Sequence, residues 1–327
     1  MRRALFAFFD NPDGDPTAAI HNQIALVQEA DRIGMDEVWV SEHHFNDFSL
    51  SGPILPIMGY LLGATRRIAV GSAAVLLPYH NPILVAEALA LLERLNPGRL
   101  RFGMAKGAFP LDDRHFRSDP ERNREALFEA ALLIARLLRE KDVTHRGEYF
   151  TAEEVTLVPS PSAAIPPYLA TFGSQSSVRF AAEQGFGLMM GQTATLEDIY
   201  AASEHYKSLC GHAPDLVALR LCCIDDTPGA AESRALRSAQ LFSERMRRVK
   251  AGNAARNAGS FQTTRDALFS EHPMARCALA GTPESCAEQL TAHRQAGVTS
   301  LAIRPGGATF EENLRIVGSF NTLEMKP

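Results

Sequence analysis

The sequence predicts a closed, all-parallel (β/α)8 TIM barrel. Strand and helix signals alternate along all 327 residues, eight strand–helix units can be counted, and no linker or low-complexity stretch interrupts them. An open doubly wound sheet shares this alternation and stands as the alternative on pattern alone. Barrels of this kind run past about 250 residues as one domain. Residues 1–327 are therefore read as a single domain.

The first strand is the apolar run at residues 4–9, cut short by the turn formers of Asp10-Asn11-Pro12-Asp13-Gly14. A helix over 17–33 follows, with Ile20, Ile24, Val27 and Ile33 near one face, and Gly34 stops it. Residues 37–40 are the second strand, 53–64 an apolar helix and 68–71 the third strand. The helix over 82–95 ends at Asn96-Pro97-Gly98, and the fourth strand occupies 99–103. An amphipathic helix over 121–140 and a polar excursion to about residue 165 lead to the fifth strand at 167–170. The remaining units are a helix at 175–184, a strand at 186–190, a helix at 196–209, a strand at 216–224 and a helix at 230–249. After a stretch of weak periodicity over 251–280, expected to be an extended mobile loop, come a helix at 283–296, a strand at 298–303 and a helix from 310.

Composition bounds the function. With 46% hydrophobic and 22% charged residues the chain can build a large core. A net charge of -5 argues against a nucleic-acid partner, and Arg245, Arg247, Arg248 and Lys250 read as a solvated helix end. No run of about 18 apolar residues predicts a membrane span, and the apolar N-terminal stretch lacks a signal-peptide cleavage site. Five cysteines without a CxxC pair, with Cys222 and Cys223 inside an apolar run, suit core thiols in a reducing, cytoplasmic setting.

In such a barrel, chemistry sits where strands end and the following loops begin. Four stretches meet that condition. Ser41-Glu42-His43-His44-Phe45 offers two imidazoles whose side chains diverge along an extended backbone. Proton transfer, structural histidines and a metal are all open readings; no spaced partner demands a metal. Gly71-Ser72-Ala73-Ala74 lets a flat group approach the backbone, or simply packs barrel layers. Lys106, after Met104-Ala105, can reach an anion in the mouth or be a surface lysine. Thr171-Phe172-Gly173-Ser174-Gln175-Ser176-Ser177 opens a helix as a phosphate cradle or as a plain serine cap. No GxGxxG, P-loop or GxSxG pattern supports a rival nucleotide or hydrolase site.

At these stretches the sequence resembles the flavin-dependent monooxygenases of the bacterial luciferase family, and is especially similar to the luciferase catalytic subunit. The residues that carry it are Glu37-Val38-Trp39-Val40-Ser41-Glu42-His43-His44-Phe45, Tyr60-Leu61-Leu62-Gly63-Ala64-Thr65, Val70-Gly71-Ser72-Ala73-Ala74, Gly98-Arg99-Leu100-Arg101-Phe102-Gly103 and Ala280-Gly281-Thr282-Pro283-Glu284-Ser285-Cys286. The resemblance implies that His43 is the catalytic histidine beside a flavin and that His44 supports it. It implies a non-prolyl cis peptide at Ala73-Ala74 under the flavin ring. It further implies FMN phosphate contacts at Lys106, where the family has arginine, and at Gly173, Ser174 and Ser177. Asp112 matches an acidic position of the pattern. Ala105 and Gln192 stand where luciferase has a reactive cysteine and a tryptophan. Residues 251–280 match a mobile lid.

The activity so implied is a monooxygenase. Reduced FMN from a separate flavin reductase would react with dioxygen to a flavin peroxide, which oxygenates a small apolar substrate such as an aldehyde. Phe45, Leu76, Phe109 and Phe116 are the expected substrate contacts, and a homodimer through the helices at 53–64 and 82–95 is expected. A deazaflavin-dependent hydride-transfer enzyme and a non-catalytic partner subunit are the alternatives.

Overall fold

A computed structural model describes residues 1–107, 110–254 and 272–325, with side chains at all of these except 110–111 and 247–254. Eight parallel strands form a ring in chain order: β1 (Arg2–Ala7), β2 (Glu37–Val40), β3 (Ala69–Ser72), β4 (Leu100–Ala105), β5 (Pro167–Thr171), β6 (Gly187–Met190), β7 (Leu216–Ile224) and β8 (Ser300–Pro305). Pairing of β8 with β1, Arg2 opposite Ser300 through Leu5 opposite Ile303, closes the ring and removes the open-sheet alternative. Around it lie α1 (Pro16–Arg32), α2 (Ile54–Ala64), α3 (Pro82–Leu95), α4 (Asn123–Leu137), α5 (Gln175–Gln184), α6 (Leu196–Cys210), α7 (Pro228–Ala254), α8 (Pro283–Gln295) and α9 (Phe310–Thr322).

Strand alternation explains why these segments read as nearly continuous apolar runs, because both faces are buried. Ala4, Phe6 and Phe8 point into the barrel, while Leu5 and Ala7 point to the helices. On β7, Val217 and Leu219 face inward and Leu216 and Ala218 outward. Helix starts follow local chemistry. Asp15 accepts hydrogen bonds from the Thr17 and Ala18 amides ahead of Pro16, and Thr195 with Asp198 closes a capping box. Each such cap contributes about 1 kcal/mol.

The N-terminal end of the barrel is plugged by polar groups. Buried Glu37 accepts from Trp39 Nε1 at 3.0 Å and Ser300 Oγ at 2.6 Å, and pairs with Arg2 at 2.7 Å. Arg2 continues to Asp215 at 2.7 Å, which also takes the Tyr168 hydroxyl at 2.7 Å. Burial raises the Asp215 carboxyl, yet hydrogen bonds from Thr299, Arg2 and Tyr168 outweigh it and hold the group below its ordinary range.

The structure corrects several expected boundaries. Phe8 and Phe9 lie beyond β1, β8 runs two residues further than expected, and α7 continues to Ala254. Within the expected 251–280 loop, residues 251–254 are helical, Pro273–Arg276 is a short helix and Leu279–Gly281 pairs with β7. The remainder of the expected loop, residues 255–271, lies outside the described residues. The structure adds a helix at Pro110–Phe116 and a hairpin of Val143–Arg146 with Thr151–Val155 to the expected elements. The hairpin tip is held by a side chain from another element: Glu129 on α4 accepts from the Glu148, Tyr149 and Phe150 amides.

All five cysteines are unpaired thiols, and Cys222, Cys223 and Cys286 are buried. Burial pushes Cys223 and Cys286 up to about 12. Close by, Arg220 of β7 is 1% exposed and donates from Nε to His293 Nε2 at 3.0 Å. The other His293 ring nitrogen donates to the Gln289 carbonyl at 2.7 Å, so the imidazole is neutral. Burial, helped by the Arg220 charge, lowers His293 to about 4 from its ordinary 6.5.

This depressed value has a defined pH signature. The folded state refuses a proton that the unfolded state takes up, so His293 contributes its full stability above pH 6.5 and loses it as pH falls towards 4. The expected total is on the order of 3 kcal/mol. His293→Gln, which can still accept from Arg220, should flatten unfolding free energy between pH 6.5 and 4 in urea titrations. An unchanged slope would refute the assignment.

Candidate functional site

The loop after β2 carries the two histidines, and three serines hold it. Ser41, Ser49 and Ser51 hydroxyls lie within 3.1 Å of one another, and Ser41 and Ser49 both reach the Phe8 carbonyl. The histidines diverge as expected. His43 turns toward the barrel axis against Phe8 (5.5 Å) and Phe48 (4.8 Å). His44 turns to the rim against Phe116 (4.8 Å) and Tyr79 (6.4 Å).

His44 also reaches a residue that the sequence reading passed over. Glu42, whose side chain is fully buried, accepts from His44 Nε2 at 3.1 Å and from His80 Nε2 at 2.7 Å on one oxygen. Its other oxygen accepts the Leu76 amide at 2.6 Å. Burial raises this carboxyl, but the His44, His80 and Leu76 hydrogen bonds together bring it below its ordinary value, so it stays ionised. Among the described residues, Glu42, His44 and His80 form the group whose ligand atoms converge within 4.8 Å and could hold a metal ion. His80, which no sequence spacing ties to the histidine pair, comes from the turn after β3. Its signal was its place at a strand exit, Pro78-Tyr79-His80-Asn81, but no local spacing ties it to residue 42.

The floor of the mouth is the Ser72–Leu76 segment. The Ala73-Ala74 peptide is cis, the geometry implied for it. Here the β3–β4 ladder is replaced by a side chain, since Ser72 Oγ accepts from the Gly103 amide at 2.9 Å and donates to its carbonyl at 2.7 Å. A Cβ on Gly103 would lie 2.1 Å from the Ser72 carbonyl oxygen, so only glycine fits. Gly71 has a different reason, because a Cβ there would lie 2.6 Å from the Trp39 ring.

The helix start after β5 lacks the plain serine cap that was one of its two readings. Ser174 is the N-cap of α5, yet its side chain caps no amide and instead donates to Ser177 Oγ at 2.9 Å. The first-turn amides are therefore not taken up by a serine cap, and helix-start N–H groups with that dipole favour an anion. Gly173 precedes them at φ 86°, and Arg124 of α4 donates to Ser176 Oγ at 3.1 Å. Lys106 leaves the end of β4, the strand paired with β5, so its backbone and the Gly173–Ser177 stretch emerge side by side. On the next strand exit, Gln192 Oε1 is buried without a hydrogen-bond partner among the described residues, a polar atom that a bound ring edge can satisfy. Arg220 fixes that exit by donating to the Gly191 and Ala194 carbonyls.

Asp112 is buried on the Pro110–Phe116 helix, where its neighbour Asp113 accepts from Tyr79, Ser118 and Asn123, each at 2.8 Å. Phe45 (5.8 Å) and Phe116 (4.8 Å) lie against the His44 ring, the Leu76 amide donates to Glu42, and Phe116 stacks on Tyr79 at 5.0 Å. Phe109 lies outside the described residues.

The sequence model of luciferase-like monooxygenases matches residues 1–300. Limonene 1,2-monooxygenase of Rhodococcus erythropolis is 31% identical over 204 residues, 62% of this chain and 53% of that protein. The alkanal monooxygenase alpha chain of Photorhabdus luminescens is 29% identical over 202 residues, 62% of this chain and 56% of that one. The chain spans about half the length of these curated relatives. Among solved structures, monooxygenase RslO1 from Streptomyces bottropensis superimposes with a TM-score of 0.83 at 22% identity, over 99% of this chain and 98% of that one. The oxygenating constituent of 3,6-diketocamphane monooxygenase from Pseudomonas putida, in complex with FMN, gives 0.78 at 18%, over 99% and 97%. An F420-dependent secondary alcohol dehydrogenase gives 0.75 at 18%, over 98% and 97%. At these identities the structural likeness is one of fold.

The Glu42 hub yields a test. Glu42→Gln should lower stability by about 2–3 kcal/mol at pH 7, the worth of buried hydrogen bonds to a charged acceptor. The carboxylate's contribution is complete above its ordinary value of 4.5 and is lost as pH falls through the lower folded value. The gap between the parent protein and the variant should therefore narrow between pH 7 and pH 3.5 in urea unfolding. A gap that stays constant would assign Glu42 no role as an ionised acceptor.

Proposed function

The chain belongs to the luciferase-like monooxygenase family, and from that premise we propose that it is a flavin-dependent monooxygenase using reduced FMN and dioxygen to oxygenate a small organic substrate. The observation that carries this reading is the α5 start, where Ser174 leaves the helix amides uncapped beside the exit that bears Lys106. Lys106, Gly173, Ser174 and Ser177 would hold the phosphate, with the Ala73-Ala74 segment under the ring and Gln192 at its edge. Asp112, at the acidic position of the family pattern, would join them in the cofactor site. Bound there, reduced FMN supplies the activation of dioxygen. The chain's own residues bind and orient it, and His43 holds or takes the proton beside it, with His44 anchored through Glu42 in support.

A separate flavin reductase would furnish the reduced cofactor. A homodimer is supported by exposed apolar residues on α2 and α3, namely Tyr60, Leu84, Leu91 and Leu95. A cytoplasmic setting suits the unpaired thiols, and no described helix is long and apolar enough to cross a membrane. The second reading, deazaflavin-dependent hydride transfer, is favoured by the fold shared with the F420-dependent dehydrogenase. A non-catalytic partner subunit is disfavoured by the presence of His43, Lys106 and the serine pair together.

Equilibrium titration with FMN, riboflavin and F420 separates these readings. FMN should bind more tightly than riboflavin, and Lys106→Met should remove about 10-fold or more of that advantage. Binding of F420 but not of FMN would move the chain to the second reading. In stopped flow, photoreduced FMN on the protein should reoxidise at least about 10-fold more slowly than free reduced FMN, as a water-excluding site requires. Equal rates would defeat the monooxygenase proposal. Light scattering should report a dimer, and Leu84→Glu should shift it toward monomer.

A further inference from the structure

A cavity of about 540 Å³ opens at the barrel mouth between β1, β8 and α7, on the side away from Lys106. That volume suits a small organic molecule. Its apolar wall includes Phe8, Phe48 and Phe242, and its polar wall includes Asp10, Asp13, Asp15, Arg237, Arg245 and Arg304.

Arg304 is the residue that the fold does not explain. It stands at the C-terminal end of β8, is 7% exposed, and lies against the rings of Phe8 (5.3 Å) and Phe242 (5.2 Å). Its guanidinium donates to the Ser238 hydroxyl at 3.4 Å and approaches the Met274 sulfur at 3.2 Å, both neutral, and its Nε has no hydrogen-bond partner among the described residues. Asp10 is the carboxylate whose charge acts on it, but Asp10 is already hydrogen-bonded to Arg245. The Cys223 thiol, pushed up to about 12, is neutral. Two guanidinium groups therefore share one carboxylate. Arg234, on the cavity's rim, shows what compensation looks like, with Asp225 at 2.9 Å and Glu312 at 2.5 Å. A buried cation without its own anion is costly, and an arriving anion removes that cost.

We infer that this cavity binds the carboxylate of an organic acid at Arg304, with the apolar body of the molecule on Phe8, Phe48 and Phe242. The planar fork of arginine matches a carboxylate's two oxygens. Phe8 and Phe48 are also the rings that touch His43, so a molecule anchored at Arg304 has its far end one ring away from that imidazole. Resting on the proposed oxygenase activity, the inference makes the substrate an apolar or aromatic carboxylic acid and not a wholly apolar molecule or aldehyde.

The test is calorimetric titration of the purified protein, with and without FMN, using benzoate and cyclohexanecarboxylate against benzyl alcohol and cyclohexylmethanol. The acids should bind at least about 10-fold more tightly than the alcohols of the same shape, as a charge-assisted fork requires. Arg304→Met should abolish that preference, and Arg304→Lys should reduce it while keeping some. FMN affinity and melting temperature should be unchanged or, for Arg304→Met, the melting temperature higher. Equal binding of acids and alcohols, or a preference that survives Arg304→Met, overturns the inference. A fall in melting temperature in both variants with the preference intact makes Arg304 a structural cation and overturns it equally. Absence of FMN binding with the acid preference present would defeat the oxygenase reading and leave the pocket standing.

Discussion

Each strand of this barrel must satisfy two apolar layers at once, and that demand governs where polar chemistry can occur. Phe6 and Leu5 are neighbours in sequence, yet one fills the barrel and the other meets the helices. A charged side chain in mid-strand would be stranded in one layer or the other, at a cost of several kcal/mol. Charges therefore gather at the two ends of the strands, with Arg220 in the middle of β7 as an exception held by His293 and the Gly191 and Ala194 carbonyls. At the N-terminal end they neutralise one another, as Arg2, Glu37 and Asp215 do, and the barrel is locked. At the C-terminal end they gather around the candidate site, where Glu42 meets His44 and His80 and where Arg304 shares Asp10 with Arg245.

Within that end the pieces are held with unequal rigidity. Glu42 joins three chain segments, the β2 exit, the Leu76 amide and the turn at His80, through charge-assisted hydrogen bonds. Each such bond is worth about 1.5–3 kcal/mol, which together exceed the burial penalty that would otherwise protonate it. Ser72 does the same for β3 and β4 where their ladder is broken. His43 and the Ala73-Ala74 segment thus stand on supports that do not depend on any bound group. The α5 start is different, because no side chain caps its amides.

The eight-unit alternation and most helix limits were legible because they rest on local signals, such as Gly34 after α1 or Asn96-Pro97-Gly98 after α3. The divergence of His43 and His44 was legible for the same reason, since it follows from extended backbone. What could not be read is whatever depends on distant residues meeting. The Val143–Arg146 hairpin is short and polar and owes its tip to Glu129. His80 becomes a neighbour of His44 only once β2 and β3 lie side by side, and the charge imbalance at Arg304 exists only where β1, β8 and α7 converge. An apolar substrate was expected because phenylalanines are visible in sequence, whereas an uncompensated cation is visible only in three dimensions.

The thiols set deep in the barrel wall have a bearing on durability. On the proposed activity, a flavin that meets dioxygen releases hydrogen peroxide whenever turnover miscarries, and a cysteine is oxidised to its sulfenic acid through the thiolate. Cys223 and Cys286 hold their protons up to about 12, and Cys222 is raised as well, so almost none of that reactive form exists at neutral pH. These three sulfurs would be spectators to an oxidant made a few strands away.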